Sequence, residues 1–252
     1  FSFLHFLSFQ SLLIINLTAK MKNLLLAIPA LFIQLVGFSQ SKLMESLTIK
    51  SKILGRDVEY SIYLPDGYEN GTRKYPVLFL LHGYTDDETG WTQFGEVGSI
   101  ADKAIKNSEA TPMIIVMPDA GVTWYINDQA GKTRFEDFFI TELIPFVDAT
   151  YRTRSKKEFR AVAGLSMGGY GSLIYATKHP ELFAACVPLS AAVWTDEQIT
   201  GMPDNNWNPI FGEIFGKEKG KARLTDHYKK NSILHITSSQ PVDSLKKVKF
   251  YI

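Results

Sequence analysis

A serine flanked by glycines separates an apolar run from a helical pattern, and few folds accommodate this arrangement. Residues 159–165 are largely apolar and end at Ser166, with Gly164 two residues before the serine and Gly168 two residues after it. A helical pattern follows over residues 170–179. Strand, sharp turn and helix with G-x-S-x-G at the bend predict a strained turn, in which side chains at both glycine positions would collide. The alternative is a chance Gly-Ser-Gly turn.

The same turn predicts where a developing negative charge would be stabilised. The first free N–H groups of the helix would point at an oxygen beside the Ser166 hydroxyl. One donor is therefore expected to be the backbone N–H of Met167. The second is expected from the loop after the apolar run 77–81, with the N–H of Tyr84 preferred and that of Gly83 second.

Apolar runs that alternate with helical patterns predict an α/β fold. Continuous runs of this kind belong to strands that are covered on both faces. They lie at residues 77–81, 113–117, 161–165 and 186–189, and helices are predicted at 97–106 and 135–147. Residues 47–52 and 56–64 alternate between apolar and polar and predict an N-terminal hairpin. Together these patterns predict a mostly parallel, doubly wound sheet.

The last third of the chain loses this alternation. Residues 194–220 are rich in Trp, Pro, Gly and Asn and predict an irregular, lid-like insertion. A helix is predicted at 221–230, and residues 246–252 alternate and begin a further strand. We expect the sheet to be incomplete at this C-terminus.

Charge and the N-terminal segment bear on partners and location. The net charge is +1 with both signs mixed, which argues against nucleic acid as a partner. Residues 21–39 predict a secretory signal peptide, 1–20 a translated upstream segment, and 40–252 the folded domain. A longer anchor over residues 1–36 is the alternative. We expect an exported bacterial protein, periplasmic or secreted, without stable membrane insertion after cleavage.

A serine hydroxyl becomes a strong nucleophile only beside a base that is itself oriented by an acid. His179 follows the predicted helix after the serine, and His227 and His235 precede the last strand. None has a suitable position, and His82, which precedes the serine, is expected to shape its loop. We therefore assign neither the triad acid nor the triad histidine within this chain. No metal site and no cofactor are predicted.

Aromatic residues in the loops suggest a pocket at the C-terminal edge of the sheet. Trp91, Asp119 and Trp124 are the candidate pocket residues, and Trp194 and Trp207 lie in loops expected at the same edge. Pockets are mostly apolar with a few polar groups, which suits aryl esters or sugar faces. The alternative is that some of these rings merely pack beneath the loops.

Six motifs in a fixed order carry a family resemblance. They are YPVLFLLHGY (75–84), MPD (117–119), WY (124–125), FED (135–137), ELIP (142–145) and GLSMGGYG (164–171). Together they resemble the esterase D family of α/β-hydrolases, in particular its tributyrin esterase and carbohydrate esterase family 1 type, over about residues 60–252. The resemblance implies an α/β-hydrolase fold, and an aspartate loop and a Gly-His segment after residue 252. The chain is therefore expected to be C-terminally truncated and impaired.

Three functions fit these observations. The first is a serine carboxylic-ester hydrolase that acts through an acyl-enzyme on short-chain or carbohydrate-linked esters of the acetyl or feruloyl type. The second is an acyltransferase of the same fold, because only the acceptor differs. The third is a non-catalytic fragment or carbohydrate-binding pseudo-enzyme, favoured by the absence of an assignable acid and histidine.

Overall fold

A seven-stranded sheet organises residues 40–252, the part of the chain that the computed structural model describes. The predicted signal peptide and upstream segment lie outside these residues. The strand order is β1-β2-β4-β3-β5-β6-β7. The strands are β1 (Lys42–Ser51), β2 (Arg56–Leu64), β3 (Val77–Leu81), β4 (Ile114–Pro118), β5 (Arg160–Leu165), β6 (Ala185–Leu189) and β7 (Lys249–Phe250).

The sheet confirms the predicted hairpin and the parallel core. Strands β1 and β2 pair antiparallel, and β2 pairs antiparallel with β4. The other pairs, from β4 through β3, β5 and β6 to β7, are parallel. From β3 the chain moves to one side to form β4 and then to the other side to form β5. Ligand sites in such sheets lie at this change of direction, beyond the carboxyl ends of the strands.

Helices cover both faces of the sheet, as a doubly wound fold requires. They are α1 (Gly90–Gln93), α2 (Val97–Lys106), α3 (Phe135–Phe138), α4 (Ile144–Thr150), α5 (Met167–Lys178), α6 (Asp196–Gly201), α7 (Asp204–Phe215), α8 (Asp226–Asn231), α9 (Ile233–Ser239) and α10 (Val242–Leu245). In β3, Phe79 and Leu81 join the large hydrophobic cluster, whereas Leu80 joins a smaller one on the opposite face. None of the helices within residues 40–252 combines the length and apolarity needed to cross a bilayer.

The helix predicted at 135–147 is present but includes a change from α-helical to π-helical hydrogen bonding. A π-helical segment, Phe139–Leu143, joins α3 to α4. Pro145 lies in the first turn of α4 and has no N–H to donate back into the helix, so the wider turn before it avoids a clash. The Glu142 carboxylate from this segment accepts hydrogen bonds from the Ser51 hydroxyl (2.6 Å) and the Lys52 N–H (3.0 Å). The segment thereby fixes the turn of the N-terminal hairpin.

Two predictions for the last third of the chain were wrong. The insertion of residues 194–220 is largely helical, because Thr195 and Gln198 form a capping box that starts α6, and α7 follows. The helix predicted at 221–230 is broken into a 3₁₀ turn (Gly220–Arg223) and α8. Thr225 separates them, since its hydroxyl accepts the Tyr228 N–H (3.1 Å) and caps α8. The strand predicted at 246–252 is present as the short β7.

Arg223, which follows the insertion in the chain, ties the helices of the insertion together. Its side chain is 1% exposed and donates hydrogen bonds to the carbonyls of Ile199 (2.9 Å) and Met202 (2.6 Å). It also pairs with the Asp204 carboxylate (2.7 Å), and its guanidinium lies 4.6 Å from the centre of the Trp207 ring. A planar fork of five donors suits this arrangement, which joins α6 to α7.

Candidate active site

Ser166 occupies a strained bend between β5 and α5. Its φ of 56° and ψ of −108° lie outside the regions that ordinary residues populate. Two hydrogen bonds hold this conformation: the Ser166 N–H donates to the Leu189 carbonyl (2.9 Å), and the Ala192 N–H donates to the Ser166 carbonyl (3.1 Å). The side chain makes no capping hydrogen bond to α5. Strain of this kind costs about 1–3 kcal/mol and concentrates at functional sites.

Gly164 and Gly168 are both required by contact, as the sequence predicted. A Cβ atom on Gly164 would lie 2.4 Å from the carbonyl carbon of Gly168, so the two glycines face each other. A Cβ atom on Gly168 would lie 2.4 Å from the Leu81 carbonyl oxygen and 2.7 Å from that of His82. The start of α5 therefore presses directly against the end of β3.

This close approach brings the two expected oxyanion donors to the same end of the sheet. The N–H of Met167 is the first of α5, and Met167 itself is fully buried. Tyr84 is the second residue of a turn that is closed by a hydrogen bond from the Asp86 N–H to the Gly83 carbonyl (3.2 Å). A turn of this kind leaves the N–H of its second residue free for an outside acceptor.

His82 orients the peptide that carries the Tyr84 N–H. It is 1% exposed, and its Nε2 accepts the Ala120 N–H (2.9 Å). The proton is therefore on Nδ1, which donates to the Gly83 carbonyl (2.8 Å). In a trans peptide the C=O and the following N–H point in opposite directions, so holding the Gly83 carbonyl aims the Tyr84 N–H away from His82. His82 shapes the loop, as predicted.

The three later histidines are engaged elsewhere. His179 is the C-cap of α5, thirteen residues after Ser166, and its Nε2 lies 3.0 Å from Glu136. The His235 Nε2 lies 2.9 and 3.0 Å from the two carboxylate oxygens of Asp196. Sequence reasoning missed this pair, since its members are 39 positions apart and leave no local signal. His227 packs against Phe215, with ring centres 5.7 Å apart.

Burial perturbs the pKa of the His227 side chain. Its Nε2 is buried and has no hydrogen-bond partner within residues 40–252. Desolvation lowers the pKa of His227 below its ordinary value, and the nearby Lys178 charge lowers it further. Asp128 and Glu136 oppose these effects only in part. Burial thus favours the neutral form of the ring, which lies where α8 meets the end of α7.

Trp124 is the centre of an aromatic cluster beside the bend. Its ring centre lies 5.8 Å from that of Tyr84, 5.3 Å from that of Trp194 and 4.9 Å from that of Phe211. An apolar cavity of about 20 Å³, room for about one water molecule, is lined by Trp124, Trp194 and Phe211 and by Ala192, whose N–H holds the Ser166 carbonyl. Ser166 itself is not part of the lining.

The other candidate pocket residues, Trp91 and Asp119, do not line this cavity, and neither does Trp207. Trp91 packs on the opposite face of the sheet, with the smaller hydrophobic cluster, and its indole N–H donates to the Leu81 carbonyl (3.0 Å). Trp207 is fully buried beneath Arg223. Asp119 accepts the Gly121 N–H (2.7 Å), and one of its carboxylate oxygens lies 3.7 Å from the His82 ring. Within residues 40–252, no group of three or more His, Cys, Asp or Glu is placed to hold a metal ion.

Comparison with known families agrees with this geometry. Residues 51–240 match the Esterase family model, described as "Putative esterase". The chain belongs to this family. A ferulic acid esterase of known structure is 30% identical and superposes with a TM-score of 0.70, covering 84% of the chain and 76% of that protein. A fluorophosphonate-binding serine hydrolase of Staphylococcus aureus, 22% identical with a TM-score of 0.67, shares the fold. The fold is thus that of the α/β-hydrolases.

Curated relatives include larger enzymes. An endo-1,4-beta-xylanase/feruloyl esterase of Xylanibacter ruminicola is 34% identical over 162 residues, which are 62% of the chain and 22% of that protein. An esterase of Mycobacterium tuberculosis is 39% identical over 140 residues, which are 54% of the chain and 29% of that protein. The chain therefore spans about a quarter of the length of these relatives.

We expect Gly168→Ala to destabilise the fold by at least about 3 kcal/mol, because the new methyl group would meet backbone atoms that cannot move aside. Urea unfolding measures the change. Gly201→Ala is the matched control, since a Cβ atom there meets nothing within 4 Å; its effect should stay within about 0.5 kcal/mol. Equal stability of the two variants would contradict the described bend.

We expect His227 to make stability depend on pH. Because its pKa is lowered in the folded state, the unfolded chain binds the proton first as pH falls. The stability is full above the ordinary pKa of 6.5 and declines as pH falls below it. Urea unfolding between about pH 8 and pH 5 should show a steeper decline for the wild type than for His227→Gln. Parallel curves for the two proteins would contradict this assignment.

Proposed function

We propose that this protein is a serine carboxylic-ester hydrolase with Ser166 as its nucleophile. The strained backbone of Ser166, held between two glycines that touch, is the observation that carries the proposal. This conformation presents the hydroxyl at the carboxyl end of β5, beside the free N–H of Met167 and the loop that contains Tyr84. A nucleophile next to two backbone donors is the arrangement that acyl transfer requires.

The reaction follows from these positions. The Ser166 oxygen bonds to the ester carbonyl carbon as a base takes the hydroxyl proton. The carbonyl oxygen gains the electron pair of the broken π bond and accepts hydrogen bonds from the N–H groups of Met167 and Tyr84. Collapse of this intermediate breaks the ester C–O bond, and the alcohol leaves with the proton from the base. Water then attacks the acyl-enzyme by the same steps, releasing the acid and restoring Ser166.

We place the base and its orienting acid outside residues 40–252. Both ring nitrogens of His82 are used within its own loop, and His179 pairs with Glu136 at the far end of α5. His227 lies beneath α7, and the Nε2 of His235 is taken by Asp196. None of these four side chains makes a hydrogen bond to Ser166.

We propose short-chain or carbohydrate-linked esters, of the acetyl or feruloyl type, as the substrates. Relatives named feruloyl esterase and acetyl esterase support this class. The Trp194 ring, which is partly exposed and packs against the buried Trp124 ring, provides an aromatic surface beside the bend for an aryl group or a sugar.

Acyl transfer to an alcohol is the second candidate. A mycolyltransferase of Mycobacterium leprae is 29% identical over 166 residues, which are 62% of the chain and 46% of that protein. The acyl-enzyme would be the same, and an acceptor hydroxyl would replace water in the second step. A non-catalytic role as a carbohydrate-binding protein is the third, since no base is assigned within residues 40–252.

Export is part of the proposal. Residues 21–39 have the short basic start, apolar centre and small residues of a signal peptide, and they directly precede the described domain.

We expect Ser166→Ala, in the full-length protein, to lower the hydrolysis of nitrophenyl acetate by more than about 10³-fold, because the acyl-enzyme cannot form. A fluorophosphonate probe should label the wild type and not the variant. Adding an alcohol acceptor to the same assay separates hydrolysis from transfer by the product formed.

Several outcomes would contradict the proposal. Labelling that survives Ser166→Ala would exclude it as the nucleophile, and a wild type that neither turns over esters nor reacts with the probe would favour the non-catalytic role. Gly201→Ala, a change in open space, should retain full activity. His235→Ala should also retain it; loss of activity there would put the base within residues 40–252 after all.

We expect the mature protein, isolated from the bacterial envelope or medium, to begin at Gln40. Mass spectrometry of its N-terminal peptide makes the measurement. A protein that retains residues 21–39 would contradict cleavage at this position.

A further inference from the structure

The insertion of residues 194–220 makes direct contact with the loop that carries the proposed second oxyanion donor. The Tyr84 hydroxyl donates a hydrogen bond to the Pro209 carbonyl in α7 (3.2 Å). The Trp124 indole N–H donates to the next carbonyl, that of Ile210 (3.0 Å). A helix carbonyl has two lone pairs and can accept such a bond in addition to its helical one.

We propose that the Tyr84 hydroxyl is a positioning group, through which α7 sets the direction of the Tyr84 backbone N–H. The inference rests on the proposed function, because that N–H acts only if an oxyanion forms. Tyr84 thus has two roles: its backbone N–H points toward the oxyanion, and its side-chain hydroxyl binds the insertion.

Contacts at the preceding peptide and at the side chain of Tyr84 leave its backbone little freedom. On the N-terminal side, His82 holds the Gly83 carbonyl and therefore the plane of the peptide that carries the Tyr84 N–H. On the side-chain side, the ring packs 5.8 Å from the Trp124 ring and the hydroxyl reaches α7. With the peptide plane and the Cα–Cβ direction both fixed, the φ angle of Tyr84 is fixed as well.

Backbone strain next to Tyr84 makes the support necessary. Thr85 has a φ of 65°, a left-handed conformation that favours glycine over a β-branched residue. A turn held in this form relaxes when its external contacts are removed. A donor that is misaimed by a fraction of an ångström loses much of its effect on the transition state, because its hydrogen bond must meet the oxygen as charge develops.

The insertion in turn is rigid enough to provide the support. Arg223 joins α6 to α7 through buried hydrogen bonds, and Trp207 beneath it packs 5.0 Å from Phe211. Phe211 packs against Trp124. A change at Arg223 can therefore reach Tyr84 without touching substrate.

The test uses Tyr84→Phe in the full-length protein, which removes the hydroxyl and keeps the ring. We expect kcat/KM for nitrophenyl acetate to fall about tenfold, a fraction of the effect of losing an oxyanion donor outright. Binding of a trifluoromethyl ketone, which adds to the serine and carries an oxyanion, should weaken by the same factor. Binding of a non-reacting amide analogue should change less than about twofold.

The matched control is Tyr63→Phe, whose hydroxyl donates to Asp102 (2.7 Å) on the opposite face of the sheet. It removes one hydroxyl in the same way and should leave kcat/KM unchanged. If the Tyr84 hydroxyl had a merely structural role, Tyr84→Phe would lower stability, as Tyr63→Phe does, and would leave the ratio of ketone to amide binding unaltered.

A double-mutant cycle tests the path through the insertion. Arg223→Lys keeps the charge but loses the fork, and it should lower kcat/KM in the wild type and have no further effect in Tyr84→Phe. Asp204→Asn serves the same purpose if Arg223→Lys does not fold. If Arg223→Lys lowered kcat/KM equally in the wild type and in Tyr84→Phe, the inference alone would be overturned. The same holds if Tyr84→Phe kept kcat/KM within twofold of the wild type while Ser166→Ala was inactive. An inert wild type would overturn the proposed function and this inference with it.

Discussion

The close contact between Gly164 and Gly168 determines the rest of the site. It allows α5 to begin within one residue of the end of β5, and this abrupt change of direction forces Ser166 into its strained conformation. The strain costs about 1–3 kcal/mol. Burial of α5 offsets it, since all its residues from Met167 to Thr177 are buried against the sheet and its neighbours. A stable helix behind the bend thus keeps Ser166 in an unfavourable backbone state.

A second constraint acts on the loop after β3. His82 is buried in a single tautomer because its two nitrogens meet one donor and one acceptor, and so it holds the peptide before Tyr84 in one orientation. The insertion reaches the same residue from the other side through Pro209. The insertion contains no strand of the sheet, yet it contacts the loop after the central strand β3. Arg223 in turn holds the insertion through the carbonyls of Ile199 and Met202.

The sequence predicted the parts of this structure that depend on local patterns. Apolar runs marked the parallel strands, and the glycines around Ser166 marked the bend, because backbone contact excludes side chains there. It failed where a local signal was obscured by its neighbours and where distant residues decide the packing. The capping box of Thr195 and Gln198 was hidden among residues typical of loops, so α6 and α7 were missed. Trp207 belongs to the core because it packs against Arg223, Phe211 and Phe215, which the sequence does not bring together. Trp91, in α1, packs with the smaller hydrophobic cluster on the opposite face of the sheet.

The two halves of the proposed machinery differ in what they require from the chain. The oxyanion donors are backbone groups, so the folding of β3, β5 and α5 is sufficient to place them. The base must be a side chain with one ring nitrogen at the serine and the other at an acid. Asp196 and His235 supply a histidine–carboxylate pair, but both carboxylate oxygens bind the same nitrogen, and the pair borders a surface groove with Thr195 and Leu234. A histidine–carboxylate pair becomes part of a catalytic triad only when its second nitrogen reaches the nucleophile, and this geometric requirement separates the pair from the site at Ser166.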